Sequence, residues 1–228
     1  PKADSIICQG KRVKELFVQN KIKNLDIIPN PINDSSIIQN AFVERKKRIV
    51  AVGRLVPQKN FELLINSFNL IKELFPDHIL EIYGKGPLEI ELNNQIKSLN
   101  LQDRVKLMGQ KQNVMHFIYD AELFVMSSNY EGFPNALVEA MASGLPVIST
   151  NFSTGIAKEY IIDYENGFTV PIKDDIALSN AMITILSDKK IQNKMSLNNS
   201  KILEHLNKEK IIEKWELKFN EVINNVQK

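Results

Sequence analysis

The feature that most constrains the fold is a regular alternation of short apolar runs with amphipathic runs. Apolar, β-rich segments recur between residues 49 and 171, and the segments between them repeat their apolar residues at helical spacing. Strands that are buried on both faces appear as nearly continuous apolar runs, and helices between them connect parallel neighbours. The sequence therefore predicts an α/β fold with a doubly wound, Rossmann-like parallel sheet of about six strands and helices on both faces.

The predicted elements place several loops at one edge of this sheet. Strands are predicted at 49–55, 79–84, 105–109, 123–128, 146–150 and 167–171, and helices at 61–75, 88–98, 112–119, 134–142 and throughout 175–226. Asn60 is suited to cap the helix that begins at residue 61. Ligands of open parallel sheets bind beyond the carboxyl ends of the strands. The loops after Gly53, Gly84, Gly109 and Ser128 are therefore the predicted binding edge.

Composition excludes several classes of protein. The 29 basic and 27 acidic residues give a net charge of +2, which argues against a nucleic-acid partner, while a pI of 8.6 is compatible with peripheral association with anionic lipid. Cys8 is the single cysteine, so an intramolecular disulfide is excluded and a reducing, cytoplasmic compartment fits. No apolar run approaches about eighteen residues. The chain does not begin with Met, and we expect it to be a piece of a longer protein.

The stretch EGFPNALVEA, residues 131–140, carries two carboxylates beside a predicted helix start. Gly132, Phe133 and Pro134 predict a sharp turn with Pro134 at the first helical position, where free amides and the helix dipole favour an anion such as phosphate. Glu139 in the second turn could accept hydrogen bonds from a ribose diol, and Glu131 could meet a second polyol. Two surface carboxylates, one of them compensating the helix dipole, would explain the same spacing.

Cations and glycines follow the neighbouring predicted strands. Arg54 and Lys59 flank the loop at 53–60 and could clamp a diphosphate, although two solvated surface cations would fit equally. In YGKGPLE, residues 83–89, Glu89 replaces the last glycine of a dinucleotide fingerprint, which favours a plain tight turn over a ligand contact at Gly84.

The loop GQKQNV, residues 109–114, ends another predicted strand. Its backbone at Gln110, Asn113 and Val114 could face a nucleobase, or it could be an ordinary polar loop.

Sites for a metal ion are not expected. The sequence has no Asp-x-Asp pair, and His78, His116 and His205 are isolated from other metal-binding residues. Each histidine is expected at the surface or on a helix face. No cofactor-binding signature is complete, so no cofactor is expected.

Taken together, these motifs resemble the C-terminal half of the family 4 retaining glycosyltransferases (glycosyl transferases group 1), which have a GT-B fold. The similar segments lie in family order over roughly residues 45–175. They are VGRLVPQKN, IYGKGP, VKLMGQKQNV, EGFPNALVEAMASGLPVIST and ENGFTVP. The pair Glu131 and Glu139 forms the family's E-x7-E signature.

The resemblance implies a role for each residue. Arg54 and Lys59 would grip the donor diphosphate, Glu131 would touch the transferred sugar, and Glu139 would bind the ribose hydroxyls. The backbone at Phe133, Pro134 and Asn135 would meet phosphate or sugar oxygens, but Pro134 stands where the family commonly has glycine and removes one amide donor. The complete implied donor site is Gly53, Arg54, Lys59, Gly84, Gln110, Asn113, Val114, Glu131, Gly132, Phe133, Pro134, Asn135 and Glu139, with Glu131, Arg54 and Lys59 as catalytic residues.

The resemblance also implies how the chain is divided. Residues 1–32 would be the last strand–helix unit of an N-terminal domain plus a linker, residues 33–206 the nucleotide-sugar-binding domain, and residues 207–228 a helix crossing back toward the N-terminal domain. That domain would bind most of the glycan or lipid-linked acceptor, so this chain alone would be inactive. Trp215 or Phe219 would then be partly exposed.

The implied activity is metal-independent, retaining transfer of a hexosyl unit from a nucleoside diphosphate sugar to a hydroxyl acceptor. Residues 153–161, STGIAKEYI, resemble a segment of capsule and lipopolysaccharide members, which favours UDP-sugars, surface glycan synthesis and the inner face of the cell membrane. A stand-alone nucleotide-sugar-binding module remains an alternative. An epimerase or dehydrogenase fits less well, because it needs a complete G-x-G-x-x-G motif and a Tyr-x-x-x-Lys pair.

Overall fold

A computed structural model describes residues 3–22, 24–32, 37–38 and 44–226, with side chains as far as residue 224. It contains a small two-stranded sheet, a six-stranded sheet and the helices that cover them. The elements in chain order are β1 (Ile6–Cys8), α1 (Lys11–Gln19), β2 (Leu25–Ile27), β3 (Lys46–Val52), α2 (Phe61–Ile71), β4 (Ile79–Tyr83), α3 (Glu89–Ser98), β5 (Val105–Gly109), α4 (Met115–Ile118), β6 (Ala121–Met126), α5 (Asn135–Ala142), β7 (Val147–Thr150), α6 (Ala157–Tyr160), β8 (Gly167–Val170), α7 (Asp175–Leu186), α8 (Lys189–Ser200), α9 (Leu203–Leu206) and α10 (Lys208–Val226).

The six-stranded sheet is entirely parallel and confirms the predicted fold class. Its strand order is β5-β4-β3-β6-β7-β8. In the register of the central strands, Val50 of β3 lies opposite Glu81 of β4 on one side and Phe124 of β6 on the other. The chain reverses its direction of progress between β3 and β6, and such a switch point opens a crevice at the carboxyl edge of the sheet.

Two apolar cores cover the two faces of the sheet. Ile49 and Ala51 of β3 point into one core with α2, α3 and α7, whereas Val50 points into the other with α5 and α6. This alternation along one strand follows from the period of two in β structure. Burial on both faces explains why the strands appear as continuous apolar runs in the sequence.

Several predicted element boundaries differ from the structure. The helical region 175–226 is interrupted, because the side chain of Asp188 accepts hydrogen bonds from the amides of Lys190 and Ile191 and so starts a new helix, and a further break occurs at Asn207. The helix predicted at 112–119 is the single turn α4, and α2 ends at Ile71 instead of residue 75. Strand β2 has three residues and was not predicted.

The N-terminal unit and the last helix pack together. Strands β1 and β2 are parallel partners, and α10 reaches them through an ion pair between Lys218 and Asp26 at 2.6 Å. Trp215 stacks on Phe219 with ring centroids 5.5 Å apart, and Phe219 is 58% exposed. The predicted domain boundary at residue 33 lies outside the described residues, as do the last two residues of the predicted tail segment. None of the described helices is both long and apolar enough to cross a membrane.

Candidate functional site

The loops that follow β3 and β6 meet at the switch point and are fastened to each other. The amide of Asn129 donates to the carbonyl of Gln58 at 2.8 Å, and the side chain of Gln58 donates to the carbonyl of Tyr130 at 2.9 Å. Asn60 has a left-handed backbone (φ 48°) and caps α2 as predicted, with its side chain accepting from the amide of Leu63. Asn60 also donates to Asn129 at 3.2 Å. These bonds fix one loop relative to the other.

Lys59 and Glu131 form an ion pair between these loops. The stem of Lys59 crosses Gly53, where a Cβ would lie 3.0 Å from the lysine Cδ, and its Nζ lies 2.5 Å from Glu131 Oε1. Ser128 Oγ donates to the same oxygen at 2.7 Å, and Gln58 Nε2 lies 3.3 Å from Oε2. The side chain of Glu131 is only 8% exposed. Its carboxylate is therefore held in one position with its charge compensated.

This pairing is a contact that the sequence did not predict. The sequence placed Lys59 with Arg54 on a diphosphate and Glu131 apart from both, whereas the structure joins Lys59 to Glu131. Arg54 is exposed and makes no side-chain hydrogen bond or ion pair within the described part of the chain. The edge therefore holds one cation in a fixed pair and presents a second cation toward solvent.

The turn before α5 uses some of the amides that were predicted to bind a ligand. Pro134 (φ −84°, ψ 66°) closes an inverse γ-turn, in which the amide of Asn135 donates to the carbonyl of Phe133 at 3.0 Å. The helix begins at Asn135, so Pro134 precedes the first helical position that was predicted for it. Within the described residues the amides of Phe133 and Ala136 have no hydrogen-bond acceptor. The amide of Asn135 is thus engaged within the turn, whereas those of Phe133 and Ala136 are the donors that stay available before and at the start of α5.

Glu139 lies in the second turn of α5, as predicted. Its side chain is half-buried, and it makes no hydrogen bond or ion pair to any described residue. Burial raises the pKa of Glu139 above the ordinary range for a glutamate, since no neighbouring donor offsets the loss of solvent. A partly desolvated carboxylate without a donor has the capacity to accept hydrogen bonds from a ligand's hydroxyl groups.

A pocket of about 360 Å³ opens beyond β3, β4 and β5. Gly84 (φ +155°) is needed there for a structural reason, because a Cβ would lie 1.8 Å from the carbonyl oxygen of Gly53. Gly84 is therefore required where the loops after β3 and β4 approach each other, and it also lines the pocket. Asn113 (φ 49°) lies in the turn before α4 and does not line it. The lining residues are Val52, Gly53, Arg54, Tyr83, Gly84, Lys85, Gln110, Lys111 and Val114.

Sequence reasoning missed Tyr83, Lys85 and Lys111 in this pocket. Lys85 stands between the two glycines of the G-K-G turn, and Lys111 follows Gln110, so both lie within motifs that were already singled out. Their proximity to a strand end was the available signal. Burial and a hydrogen bond to Glu81 raise the pKa of Tyr83 to about 12, so its hydroxyl remains protonated near neutral pH.

The location predicted for one of the three histidines is wrong. His78 was expected at the surface or on a helix face, but it lies just before β4, is 6% exposed, and its Nε2 lies 2.6 Å from Glu122 Oε2 at the amino end of the sheet. His116 and His205 are exposed as expected. In the described ranges, no group of three or more His, Cys, Asp or Glu residues is arranged to hold a metal ion.

The chain is similar in sequence to known sugar-transferring enzymes. The family model for glycosyl transferases group 1 matches residues 33–202. N-acetylgalactosamine-N,N'-diacetylbacillosaminyl-diphospho-undecaprenol 4-alpha-N-acetylgalactosaminyltransferase of Campylobacter jejuni is 35% identical over 198 residues, which cover 84% of this chain and 53% of that protein. UDP-Gal:alpha-D-GlcNAc-diphosphoundecaprenol alpha-1,3-galactosyltransferase of Escherichia coli is 30% identical over 227 residues, which cover 92% of this chain and 56% of that protein.

Solved structures agree with this similarity. Sucrose-phosphate synthase from Thermosynechococcus elongatus superimposes with a TM-score of 0.87 at 25% identity, covering 98% of this chain and 59% of that one. The chain thus spans a little more than half the length of each of these three proteins.

Proposed function

This chain belongs to the glycosyl transferases group 1 family, and from that membership we propose that it is the donor-binding domain of a retaining, metal-independent glycosyltransferase. The whole enzyme would move a hexosyl unit from a nucleoside diphosphate sugar to a hydroxyl acceptor. One observation carries this proposal. The switch point of the sheet carries the fixed Lys59–Glu131 pair and two amides without acceptors at the start of α5, together with Arg54 and Glu139, which have no partner in the part of the chain that the structure describes.

Arg54 and the free amides would bind the diphosphate. Arg54 can present two parallel N–H donors to a phosphate, and the amides of Phe133 and Ala136 add donors at the positive end of α5. Lys59 adds a positive charge whose position is already set by Glu131. Negative charge grows on the diphosphate as the sugar–phosphate bond breaks, so cations and dipoles fixed in advance stabilise the transition state more than the ground state. This arrangement supports charge stabilisation without a divalent cation.

Glu139 would accept the two ribose hydroxyls. Its carboxylate is half-buried and lacks a donor among the described residues, so the hydroxyls would supply hydrogen bonds that the folded chain does not provide. The 360 Å³ pocket, which Arg54 also lines, would receive the base. Lys85, Gln110 and Lys111 offer N–H donors there, which suits a base rich in carbonyl groups.

Glu131 would face the transferred sugar. Its Oε1 is occupied by Lys59 and Ser128, whereas the contact of Gln58 with Oε2 is longer, at 3.3 Å. Oε2 therefore retains the capacity to accept a hydrogen bond from a sugar hydroxyl. Because Lys59 compensates its charge, Glu131 can orient the sugar without strongly repelling the diphosphate.

We infer a UDP-sugar donor and an acceptor carried on a lipid diphosphate. The support is the Escherichia coli relative, whose name includes both UDP-Gal and a diphosphoundecaprenol acceptor, and the Campylobacter relative, whose name includes diphospho-undecaprenol. An enzyme of this kind would act in surface glycan synthesis in the cytoplasm, at the inner face of the membrane. The acceptor would be bound mainly by an N-terminal domain beyond this chain.

Titration calorimetry of the protein with UDP, GDP and ADP, with and without EDTA, tests the proposal. We expect UDP to bind with micromolar to millimolar affinity and the chelator to have no effect. Glu139→Ala should weaken UDP binding, because the ribose loses its acceptor, and Glu165→Ala at the other edge of the sheet is the matched control. Failure of all three nucleotides to bind the protein at its natural length would contradict the proposal.

Sugar transfer separates the enzyme from a binding module without catalysis. In the protein at its natural length, Glu131→Ala should reduce sugar transfer far more than UDP affinity, because Lys59 loses its partner but keeps its charge at the diphosphate site. UDP binding without any turnover of UDP-sugars in the unmodified protein would favour the binding module instead.

A further inference from the structure

A short segment between β7 and β8 contacts both the Glu131 loop and the N-terminal unit. It comprises residues 154–160, includes α6, and is called the bridge segment below. On one side, Thr154 Oγ1 donates to the carbonyl of Glu131 at 3.1 Å, and the ring of Tyr160 packs edge-on against that of Phe133 with centroids 6.0 Å apart. The bridge segment therefore supports, at two points, the loop that carries the carboxylate assigned to the transferred sugar.

On its other side, the bridge segment contacts the start of α1. Glu159 Oε1 accepts a hydrogen bond from the amide of Arg12 at 3.1 Å, although the two residues lie 147 positions apart in sequence. A Cβ on Gly10 would lie 2.8 Å from Ile156 Cγ1, and a Cβ on Gly155 would lie 3.0 Å from Arg12 Cγ. The two backbones thus approach more closely than a side chain at either glycine would allow.

Glu159 takes the place of a helix cap that α1 lacks in its own sequence. The first amides of an α-helix have no acceptor within the helix, and a side chain at the N-cap position usually accepts from one of them. The N-cap of α1 is Gly10, which has no side chain for this purpose, and no acidic residue lies in the first turn. Glu159 accepts from the second amide of the helix and places a negative charge at the positive end of its dipole. The position of α1 relative to the six-stranded sheet therefore depends on a residue of the bridge segment.

Other contacts attach the N-terminal unit independently of Glu159. Asn30 Nδ2 donates to Asn135 Oδ1 at 3.1 Å, and the amide of Ile32 donates to the carbonyl of Leu206 at 2.9 Å. Glu159 itself is exposed, so its substitution leaves the apolar cores intact. Loss of this side chain should therefore let the start of α1 shift while the N-terminal unit stays attached.

We propose that Glu159 is a positioning residue, which holds the start of α1 in place relative to Glu131 through the bridge segment. Sugar transfer requires the acceptor hydroxyl and the donor sugar to meet in one geometry, and a misplacement of about 1 Å can cost about 100-fold in rate. An acceptor bound mainly by the N-terminal domain moves with α1, whereas the donor is held by the loops of the sheet. Glu159 thus sets the position of one substrate relative to the other without touching either. This inference rests on the proposed function, which places donor and acceptor on the two sides of this contact.

Two rates of the protein at its natural length test this inference. Transfer to the acceptor depends on the relative position of both substrates, whereas hydrolysis of the UDP-sugar without acceptor depends on the donor site alone. Glu159→Ala should lower the kcat of transfer by about fivefold, the factor that corresponds to one helix cap, and leave hydrolysis and UDP affinity unchanged. Glu159→Gln should keep most of the transfer rate, because its side-chain oxygen still accepts from the amide of Arg12.

Gly10→Ala disturbs the same contact from the side of the N-terminal unit. The added Cβ would collide with Ile156, and alanine tolerates the extended backbone of Gly10 (φ −159°), so α1 should shift without strain in its own chain. We expect slower transfer with unchanged hydrolysis and UDP affinity, as for Glu159→Ala. Because both substitutions disturb one contact, the double variant should lose less than the product of the two single losses.

Glu15→Ala is the matched control, since Glu15 is an exposed carboxylate of α1 that pairs with the side chain of Arg12 at 3.2 Å and not with its amide. Equal transfer rates in Glu159→Ala, Glu15→Ala and the unmodified protein would overturn the proposal. An equal loss of transfer and hydrolysis in Glu159→Ala would also overturn it, because the bridge segment would then support the donor site alone. If a variant melts at a lower temperature, the ratio of the two rates still decides, since partial unfolding lowers both equally. Absence of UDP binding in the unmodified protein would contradict the proposed function itself, which is a separate result.

Discussion

The two ends of the six-stranded sheet both contain buried charge, but they use it differently. At the amino end, Arg48 of β3 contacts Glu81 at 2.6 Å and also pairs with Asp120, and it donates to the carbonyl of Phe117 at 3.0 Å. Asp120 receives a further ion pair from Lys46 at 2.8 Å. Each of these carboxylates therefore has at least one cation in contact, and the cluster has little capacity left for a ligand.

A second cluster at the amino end is equally well paired. Glu122 at the start of β6 contacts both His78 and Lys189. Burial alone would raise the pKa of Glu122, but the hydrogen bonds from His78 and Lys189 outweigh it and hold the pKa below the ordinary value. Nearby, Arg45 donates to the carbonyls of Tyr119 and Ala121. These charges link strands, helices and loops to one another.

At the carboxyl end of the sheet, by contrast, only part of the charge is paired. Lys59 and Glu131 are paired, but Arg54 and Glu139 have no partner among the described residues, and two amides at the start of α5 lack acceptors. Glu139 is half-buried, and a charge removed from water and left unpaired costs free energy. The amino end keeps two buried nitrogen atoms without a hydrogen-bond partner in the described part of the chain, Arg48 Nε and His78 Nδ1, but each of its buried carboxylates is paired with a cation. Unpaired charge, more than the number of charges, therefore distinguishes the carboxyl end.

The largest expected effect is on stability and comes from the amino end. Arg48→Met leaves Glu81 without its cation and Asp120 with only Lys46, so the free energy of unfolding should fall by about 3–5 kcal/mol. Urea unfolding measures this loss. UDP affinity, measured on the folded protein, should stay the same.

The matched variant is the double substitution Arg48→Met with Glu81→Leu. Because it removes both members of a buried pair, it should recover part of the lost stability. If Arg48→Met weakened UDP binding while leaving stability intact, the contrast between the two ends would be wrong.

The next effect is on function and comes from the carboxyl end. Lys59→Met removes a cation from the proposed diphosphate site and leaves Glu131 buried without its counter-ion. We expect a loss of roughly 1.5–3 kcal/mol, or about 10- to 100-fold, in UDP affinity or in the rate of transfer. Calorimetry and a transfer assay measure the two quantities. Lys59→Arg should retain a larger part of both, and equal values for all three proteins would remove Lys59 from the site.

Much of the fold could be predicted because local patterns determine it. The alternation of apolar and amphipathic segments predicted the six strands of the large sheet, and the residue type of Asn60 predicted a helix cap. The short elements were missed or given wrong bounds, because β2 has three residues and α4 has only four of the eight predicted for it, too few to show a period. The breaks within 175–226 depend on the cap formed by Asp188, which the apolar period alone does not reveal.

The residues of the candidate site were named from the sequence, but the contacts between them were not predicted. The residues of the Lys59–Glu131 pair lie 72 positions apart in sequence, and only the strand order brings their loops together. Pro134 signals a turn, but only the backbone angles show that this turn uses the amide of Asn135. His78 resembles a surface residue in sequence, because its partner Glu122 lies 44 positions away. Long-range contacts of this kind have no local signature.

A pH titration of binding and stability compares Glu139 at the carboxyl end of the sheet with Glu122 at its amino end. The raised pKa of Glu139 means that, as the pH falls, this carboxylate is protonated earlier than an ordinary glutamate and loses its capacity to accept hydrogen bonds from the ribose that we propose it binds. UDP-sugar binding should therefore weaken in mild acid, and Glu139→Gln should bind weakly with little dependence on pH. A UDP-sugar is the suitable probe, because the terminal phosphate of UDP itself titrates near pH 6.

On acidification, the loss of stability should follow the loss of binding. The pKa of Glu122 is depressed on folding, so its contribution is present above its unfolded pKa and is lost only as the pH falls through the lower folded value. For Glu139, whose folded pKa is raised, protonation favours the folded state, and that increment is lost as the pH rises through the folded value. Acidification should thus weaken binding before these groups affect unfolding. Simultaneous loss of both would contradict this order.

The smallest expected effect tests whether burial, not position, makes the amino end important. Lys194 of α8 pairs with Glu165, just before the start of β8, at 2.7 Å, but the two side chains are 48% and 49% exposed. Water and salt screen such a pair, so Lys194→Ala should change the free energy of unfolding by about 0.5 kcal/mol or less and leave UDP affinity unchanged. Urea unfolding of Lys194→Ala and of Arg48→Met, measured side by side, compares an exposed pair with a buried pair at the amino end of the sheet. A loss as large as that of Arg48→Met would mean that location at the amino end, and not the desolvation of paired charges, determines stability there.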